Sequence, residues 1–384
     1  MRRRPLKTHP FRIAVPDEAV ADLKARLVNT RWPDELEEAG WDWGVSLAYM
    51  RDLVDYWGRA FDWRAQEQRL NAVPQFVAEV GGHEIHFLHV RAASGNGIPL
   101  VITHGWPGSF VEMLRIIPLL TVDDGSGVVF DVIVPSLPGY GFSGRPRRGG
   151  VGLFAIADLW AELMSGLGYD RFAVQGGDWG SGVSTALALR HAERLIAIHL
   201  NFSSTTLAKP EDPDNPLTQA ELDWLARMVA WRREGSGYAA IQGTRPQTLA
   251  YAVNDSPAGL AAWIADKFHA WTDCGGRIEN AVSRDDLLCN ISIYWFTGTA
   301  ASSFRLYREA HRNPMAISAE EFISVPAAFA HFPAEIPTPP RRWLERTFTD
   351  LRRDTSMPAG GHFAAMEQPE LLAADIRALF RELA

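Results

Sequence analysis

The apolar positions change rhythm twice along the chain. Between residues 10 and 80 they mix with charges at helical spacing: Leu23, Ala25, Leu27 and Val28 follow Pro16-Asp17, and a second such segment runs from Leu47 to Phe61. This stretch reads as an amphipathic helical extension. From His83 onward, short apolar runs alternate with glycine-bearing turns and longer helical stretches: HEIHFLHV, IPLVITHG, VVFDVIVPSLPG, RFAVQGG and LIAIHLNF. Strands recurring between helices in this way predict a mostly parallel sheet covered by helices on both faces. The rhythm breaks near Leu207, at the proline-rich, acidic stretch AKPEDPDNP, which reads as a hinge; a long helical block follows, from TQAELDWLARMVAW to YWFTGTAASSFRLYREAHRNP. Strand texture resumes at ISVPAAFAHFP, and the chain closes on the amphipathic PELLAADIRALFREL. The pattern divides the chain into an extension over 1–80, a core over 81–206, an inserted helical lid over 207–322, and the remainder of the core over 323–384.

Composition narrows the function classes. The 384 residues are enough to bury a sizeable active site, and 38 basic against 46 acidic residues give a formal charge of −8, which argues against a nucleic-acid partner. Cys274 and Cys289 are too few and too far apart for a zinc cluster or a disulfide framework, and they read as reduced thiols. MRRRPLKTHP is basic like the start of a signal peptide, but no apolar run follows it, and none in the chain approaches the roughly 20 residues that span a bilayer. The expectation is a cytoplasmic protein with no integral membrane segment. The sites Asn201-Phe202-Ser203 and Asn290-Ile291-Ser292 read as chance matches to the glycosylation pattern.

The chemistry centres on VQGGDWGSGVS. Gly176-Gly177-Asp178-Trp179-Gly180 follows the strand RFAVQ and precedes a helix of small residues, matching the sharp strand-to-helix elbow that lifts a nucleophile above a sheet. Here the nucleophile is Asp178 rather than a serine. A carboxylate is already ionised at pH 7 and can displace a leaving group at saturated carbon, giving an alkyl ester with the enzyme. Cleaving that ester calls for a histidine that activates water, a second carboxylate to aim it, and an oxyanion hole. His362, in the loop PAGGHFAAMEQ, is placed for the base. Glu335, directly after the run VPAAFAHFP, is placed for the acid in preference to Asp350 and Asp354, which sit in the charged stretch TDLRRD. The backbone N–H groups of Trp179, next to the nucleophile, and Trp106, in HGWPGS, are the candidate oxyanion donors. His104 reads as structural. GYGFSG, Gly139 to Gly144, has dinucleotide-like spacing, but RPRRGG stands where the phosphate-binding helix would run, so it reads as a loop beside the pocket.

The leaving group is either a halide, which takes indole or amide N–H donors, or an epoxide oxygen, which needs a proton from an acid such as a neutral phenol. Tyr238 and Tyr307 stand out in the lid, Tyr251 and Tyr294 are also available, and spacing does not select a pair. HGWPGS, GGDWGS, GYAAIQGTRPQTLAYAVNDSPAGLAAWIADKF, YWFTGTAASSFRLYRE and GGHFAAMEQPELLAADI closely resemble the microsomal-type epoxide hydrolases, a family that includes the insect juvenile-hormone enzymes and soluble microbial members. FRIAVPDEAVADLKARLVNTRWPDE is similar to that family's N-terminal region, so the resemblance spans almost the whole chain. It implies an α/β-hydrolase fold with Asp178 as nucleophile, Glu335 and His362 as the water-activating pair, and Tyr238 and Tyr307 as proton donors to the epoxide oxygen. The implied partners are a small apolar epoxide and water, with no cofactor and no metal. The expectation is that the membrane anchor of the family's animal members has no counterpart here. Symmetry base rates make a homodimer the expected assembly. The rival readings are a haloalkane dehalogenase using the same aspartate and a ligand-binding relative without catalysis.

Overall fold

The computed structural model describes residues 6–203, 216–318 and 320–383. The expected hinge AKPEDPDNP, and the 206/207 boundary beside it, lie almost wholly outside the described residues. Nine strands form one sheet: β1 (Thr8–Pro10), β2 (Gln75–Val80), β3 (His83–Val90), β4 (Ile98–Thr103), β5 (Phe130–Pro135), β6 (Phe172–Gly176), β7 (Leu195–Leu200), β8 (Ala327–His331) and β9 (Leu351–Ser356), in the order β1-β2-β3-β5-β4-β6-β7-β8-β9. β1, β2, β3 and β5 pair antiparallel, and every joint from β5 through β9 is parallel. β5 is buried at all six positions and β6 at all five. Covered on both faces, such strands carry continuous apolar runs rather than alternation.

Two departures from the sequence expectation concern edge strands. The extension holds three helices, Asp17–Val28, Leu47–Arg59 and Trp63–Asn71, but it also supplies β1 and β2 to the antiparallel edge. At the opposite edge β9, LRRDTS, is polar and only partly buried, so no apolar run announces it; charged side chains suit a strand with one unpaired flank. Asp354 therefore sits on a strand, with its carboxylate 2.5 Å from His331 Nε2, and not on a solvated surface.

The described lid is helical, with segments Gln219–Glu234, Gly237–Thr244, Pro246–Val253, Pro257–Trp271, Arg284–Thr297 and Ala300–Arg312. It is fastened to the loop after β4: Asn290 Nδ2 donates to Pro107 O at 2.8 Å, Ser109 Oγ donates to Asn290 Oδ1 at 2.7 Å, and Tyr294 Oη donates to Gly108 O at 2.7 Å. The loop GYGFSG lies under the lid too, with Ser302 Oγ donating to Gly139 O and Tyr140 Oη to Ser303 O. The extension braces the lid from outside, where Trp57 Nε1 donates to Ser292 Oγ at 3.1 Å and Tyr56 Oη to Asp285 Oδ1 at 2.8 Å. No helix among the described residues is long and apolar enough to cross a membrane.

Candidate active site

Four parallel strands deliver the candidate residues to one edge of the sheet. Asp178 follows β6, Trp106 follows β4, Glu335 lies four residues past the end of β8, and His362 lies in the loop between β9 and the helix Ala364–Glu367. The carboxyl ends of parallel strands are where open α/β sheets bind ligands.

At the elbow, Asp178 has φ of 46°, in the left-handed region that non-glycine residues rarely occupy. The turn is held by close backbone packing: a Cβ on Gly180 would come within 1.8 Å of Thr103 O, and one on Gly176 within 2.3 Å of the Gly180 backbone. With the turn pinned against β4 in this way, the carboxylate projects over the sheet. The Trp106 N–H donates to Asp178 Oδ1 at 2.8 Å, and the other oxygen, Oδ2, stands 3.4 Å from His362 Nε2. No hydrogen bond from the Trp179 N–H to this carboxylate is present among the described residues.

His362 Nδ1 lies 2.7 Å from Glu335 Oε1, and both side chains are almost wholly buried. The histidine loop is fixed at several points: the His362 N–H donates to Trp271 O at 2.8 Å, Gly360 N–H to Asp273 Oδ2 at 2.9 Å, and Phe363 N–H to Glu367 Oε1 at 3.0 Å. Burial opposes a charged imidazole, but the Glu335 carboxylate, together with hydrogen bonding and charge from Asp178, outweighs it and holds the ring's pKa well above the usual histidine value. Burial raises Glu335, with the neighbouring imidazolium pulling the other way. The proton shared by this pair therefore rests on His362.

Tyr238, in the first turn of Gly237–Thr244, and Tyr307, in Ala300–Arg312, are both buried and meet edge to face with ring centroids 5.8 Å apart. The Tyr238 ring stacks on Trp106 at 5.2 Å, and the Tyr307 ring meets Trp179 edge-on at 4.7 Å. Burial, with the Asp178 charge nearby, pushes both phenols above their ordinary pKa, so they are neutral and able to donate. The other two lid tyrosines lie elsewhere: Tyr251 is 73 % exposed, and Tyr294 spends its hydroxyl on Gly108 O. The Trp179 indole N–H is buried without an acceptor, a donor of the kind a halide would use, so the geometry includes features of both leaving-group readings.

His104 is structural: burial holds its pKa down to about 4, its Nδ1 donates to Gly105 O, and the Leu137 N–H donates to its Nε2. Sequence reasoning missed Glu112, whose buried carboxyl lines a small cavity beside Asp178 and His362. The motif FVEM carries no signal for it.

A mostly parallel sheet with a sharp strand-to-helix elbow bearing Asp178 after β6, and a histidine and acid arriving from later loops, defines an enzyme of the α/β-hydrolase fold. Residues 98–237 match the family model described as alpha/beta hydrolase fold, and residues 8–113 match the one described as epoxide hydrolase N terminus. The chain is 47% identical to the "Putative epoxide hydrolase" of Stigmatella aurantiaca over 97% of this chain and 85% of that one. It is 38% identical to epoxide hydrolase 1 of Sus scrofa over 96% and 87%. Among solved structures, the juvenile hormone epoxide hydrolase of the silkworm Bombyx mori superimposes with a TM-score of 0.90 at 30% identity, covering 99% of this chain and 95% of that one. The Aspergillus niger epoxide hydrolase gives 0.87 at 31% identity, with 100% and 99% covered. The chain belongs to the microsomal-type epoxide hydrolase family.

Proposed function

We propose that this epoxide hydrolase works through a covalent aspartyl ester, converting a small apolar epoxide and water to a vicinal diol. The observation that carries the reading is the Asp178 carboxylate, anchored by one oxygen on the Trp106 N–H with the other 3.4 Å from His362 Nε2, together with two neutral tyrosines whose rings pack on Trp106 and Trp179. Asp178 Oδ2 attacks a ring carbon from the face opposite the epoxide oxygen; the C–O bond of the ring breaks, and the oxygen takes a proton from Tyr238 or Tyr307. Esterification abolishes the Asp178 charge that helps to keep His362 protonated, so the ring's pKa falls and it releases a proton. The proton released by His362 returns to the phenolate that supplied the alkoxide, so both tyrosines are neutral again and the step balances.

Neutral His362, oriented by Glu335, then takes a proton from water while the water oxygen adds to Asp178 Cγ. The resulting oxyanion is stabilised by the Trp106 N–H and, in this reading, by that of Trp179. Collapse expels the diol and restores the Asp178 carboxylate beside protonated His362. The rival reading, a haloalkane dehalogenase, draws on the unpaired Trp179 indole N–H; halide release from a haloalkane panel would support it. The paired phenols weigh toward the epoxide.

The test is a single turnover in heavy-oxygen water with enzyme in excess. The label is expected in the Asp178 carboxylate, and the diol is expected unlabelled. Label appearing in the diol during the first turnover would mean direct attack by water and would overturn the covalent route.

A further inference from the structure

Hydrolysis of the ester needs a water held at three points: one hydrogen toward His362, its oxygen toward Asp178 Cγ, and its second hydrogen on some acceptor. A small cavity of about 10 Å³ lies where such a water would sit, bounded among others by Asp178, His362, Glu112, Gly105, Gly108 and Phe363. That space is close to the least that admits a single water molecule.

Glu112 is the polar wall of this cavity with no other evident task. It lies in the short turn Phe110–Met113 and is 8 % exposed, and no described residue donates a hydrogen bond to its carboxyl group. A buried carboxyl group without a protein partner is a site for water. Gly108 makes room for it, because a Cβ there would stand 2.7 Å from Glu112 Oε2.

We propose that Glu112 is a positioning residue for the hydrolytic water, its carboxyl oxygen accepting the hydrogen that His362 does not take. The inference rests on the ester mechanism above. Burial, reinforced by the nearby charges of Asp178, Glu367 and Glu335 and opposed by His362, raises the Glu112 pKa to about 8. Glu112 is therefore a neutral acid at pH 7; it accepts through its carbonyl oxygen without setting a second negative charge beside the developing oxyanion. Anchoring both hydrogens leaves a lone pair of the water pointed at the ester carbon.

The test resolves alkylation from hydrolysis by single-turnover kinetics, with the adduct on Asp178 followed by mass spectrometry, in wild type, E112L, E112Q and G108A. In E112L alkylation is expected within a few-fold of wild type, while hydrolysis slows about 10- to 100-fold and the adduct accumulates. The amide oxygen in E112Q is expected to restore most of the hydrolysis rate. G108A keeps Glu112 but pushes its carboxyl aside, and it is expected to slow hydrolysis in the same way; it carries the test if E112L does not fold. Hydrolysis at the wild-type rate in E112L or G108A, or equal slowing of both steps in a folded variant, would remove Glu112 from this role. Absence of any adduct in the wild type would instead count against the ester mechanism, and so the two failures are separable.

Discussion

His362 Nε2 stands 3.4 Å from Asp178 Oδ2, so the charge of the aspartate acts on the protonation state of the histidine. Burial by itself would drive the imidazole to its neutral form, and the carboxylates on either side reverse that. In the proposed mechanism only one of the two, Glu335, keeps its charge throughout. On that mechanism His362 would change from counter-ion to base when Asp178 is esterified.

Removing the Asp178 charge without removing its shape isolates this effect. In D178N, NMR titration of the His362 ring is expected to show a pKa lower than that of the wild type, where the ring remains protonated well above pH 6.5. An unchanged titration in D178N would mean that Glu335 alone sets the protonation state. In the alkylated enzyme the same lowering predicts that hydrolysis slows as pH falls through the ester-form pKa, because only the neutral ring accepts a proton from water.

In the proposed mechanism the two phenols share one task, and their variants should show it. Y238F and Y307F are each expected to slow alkylation about 10- to 100-fold, and the double variant to lose more, toward the upper part of the range for general acids. Hydrolysis of an adduct once formed should change far less. Stopped-flow tryptophan fluorescence reports the first step, given that Trp106 and Trp179 touch the tyrosine rings. Wild-type alkylation in both single variants would eliminate the pair as acids.

The sequence made legible those parts of the site whose chemistry is local. The elbow GGDWG is legible because its glycines answer to backbone collisions within a few residues and with β4. The core strands from β3 to β8 are legible because burial on both faces leaves continuous apolar runs. β2, QFVAEV, carries an alternation of Phe76, Ala78 and Val80, but it is overshadowed by the helices before it; β9 is polar because it is an edge. The tyrosines could not be selected by spacing, since Tyr238 and Tyr307 meet only through the packing of two lid helices against each other. Glu112 had no pattern to reveal it: what distinguishes that carboxyl is a cavity assembled from the loops after β4, β6 and β9.

Two glycines near the nucleophile should fail differently when replaced by alanine. A Cβ on Gly105 would stand 2.0 Å from Asp178 Oδ1 and 2.3 Å from its Cβ, so the added methyl collides with the Asp178 side chain itself. G105A is expected to fold with a modest loss of stability and to lose alkylation by about 100-fold or more, since a displacement of about 1 Å costs that much. A Cβ on Gly180 would meet the backbone oxygen of Thr103 at 1.8 Å, where neither partner can rotate away. G180A is expected to lower the melting temperature sharply or to abolish soluble expression. A stable, active G180A protein would show that the elbow does not need its contact with β4.

The buried carboxyls give the protein an uncommon dependence of stability on pH. Burial raises Glu112 to about 8 and Glu367 to about 7, although Glu367 accepts hydrogen bonds from the Asp273 and Phe363 N–H groups. Both values lie above the 4.5 of an ordinary glutamate, so between pH 4.5 and 8 the native state holds protons that the unfolded chain has released. The contribution of these groups is fully present below pH 4.5 and is lost as pH rises through 7 and then 8. Glu367 alone accounts for on the order of 3 kcal/mol across that range. Asp375 works in the opposite sense, its pKa held down despite burial by His199 and Arg353, but its stabilisation is lost only in acid. The raised His362 works in the same sense as the two glutamates: its contribution is fully present below pH 6.5 and is lost as pH rises from there to its own higher pKa, so it adds to the decline above neutrality. Calorimetric scans from pH 5 to 9 are expected to show a falling melting temperature, with a shallower fall in E112Q, where no ionisable group remains at that position. A flat or rising profile in the wild type would mean that these carboxyls ionise in the folded protein as readily as in the unfolded chain.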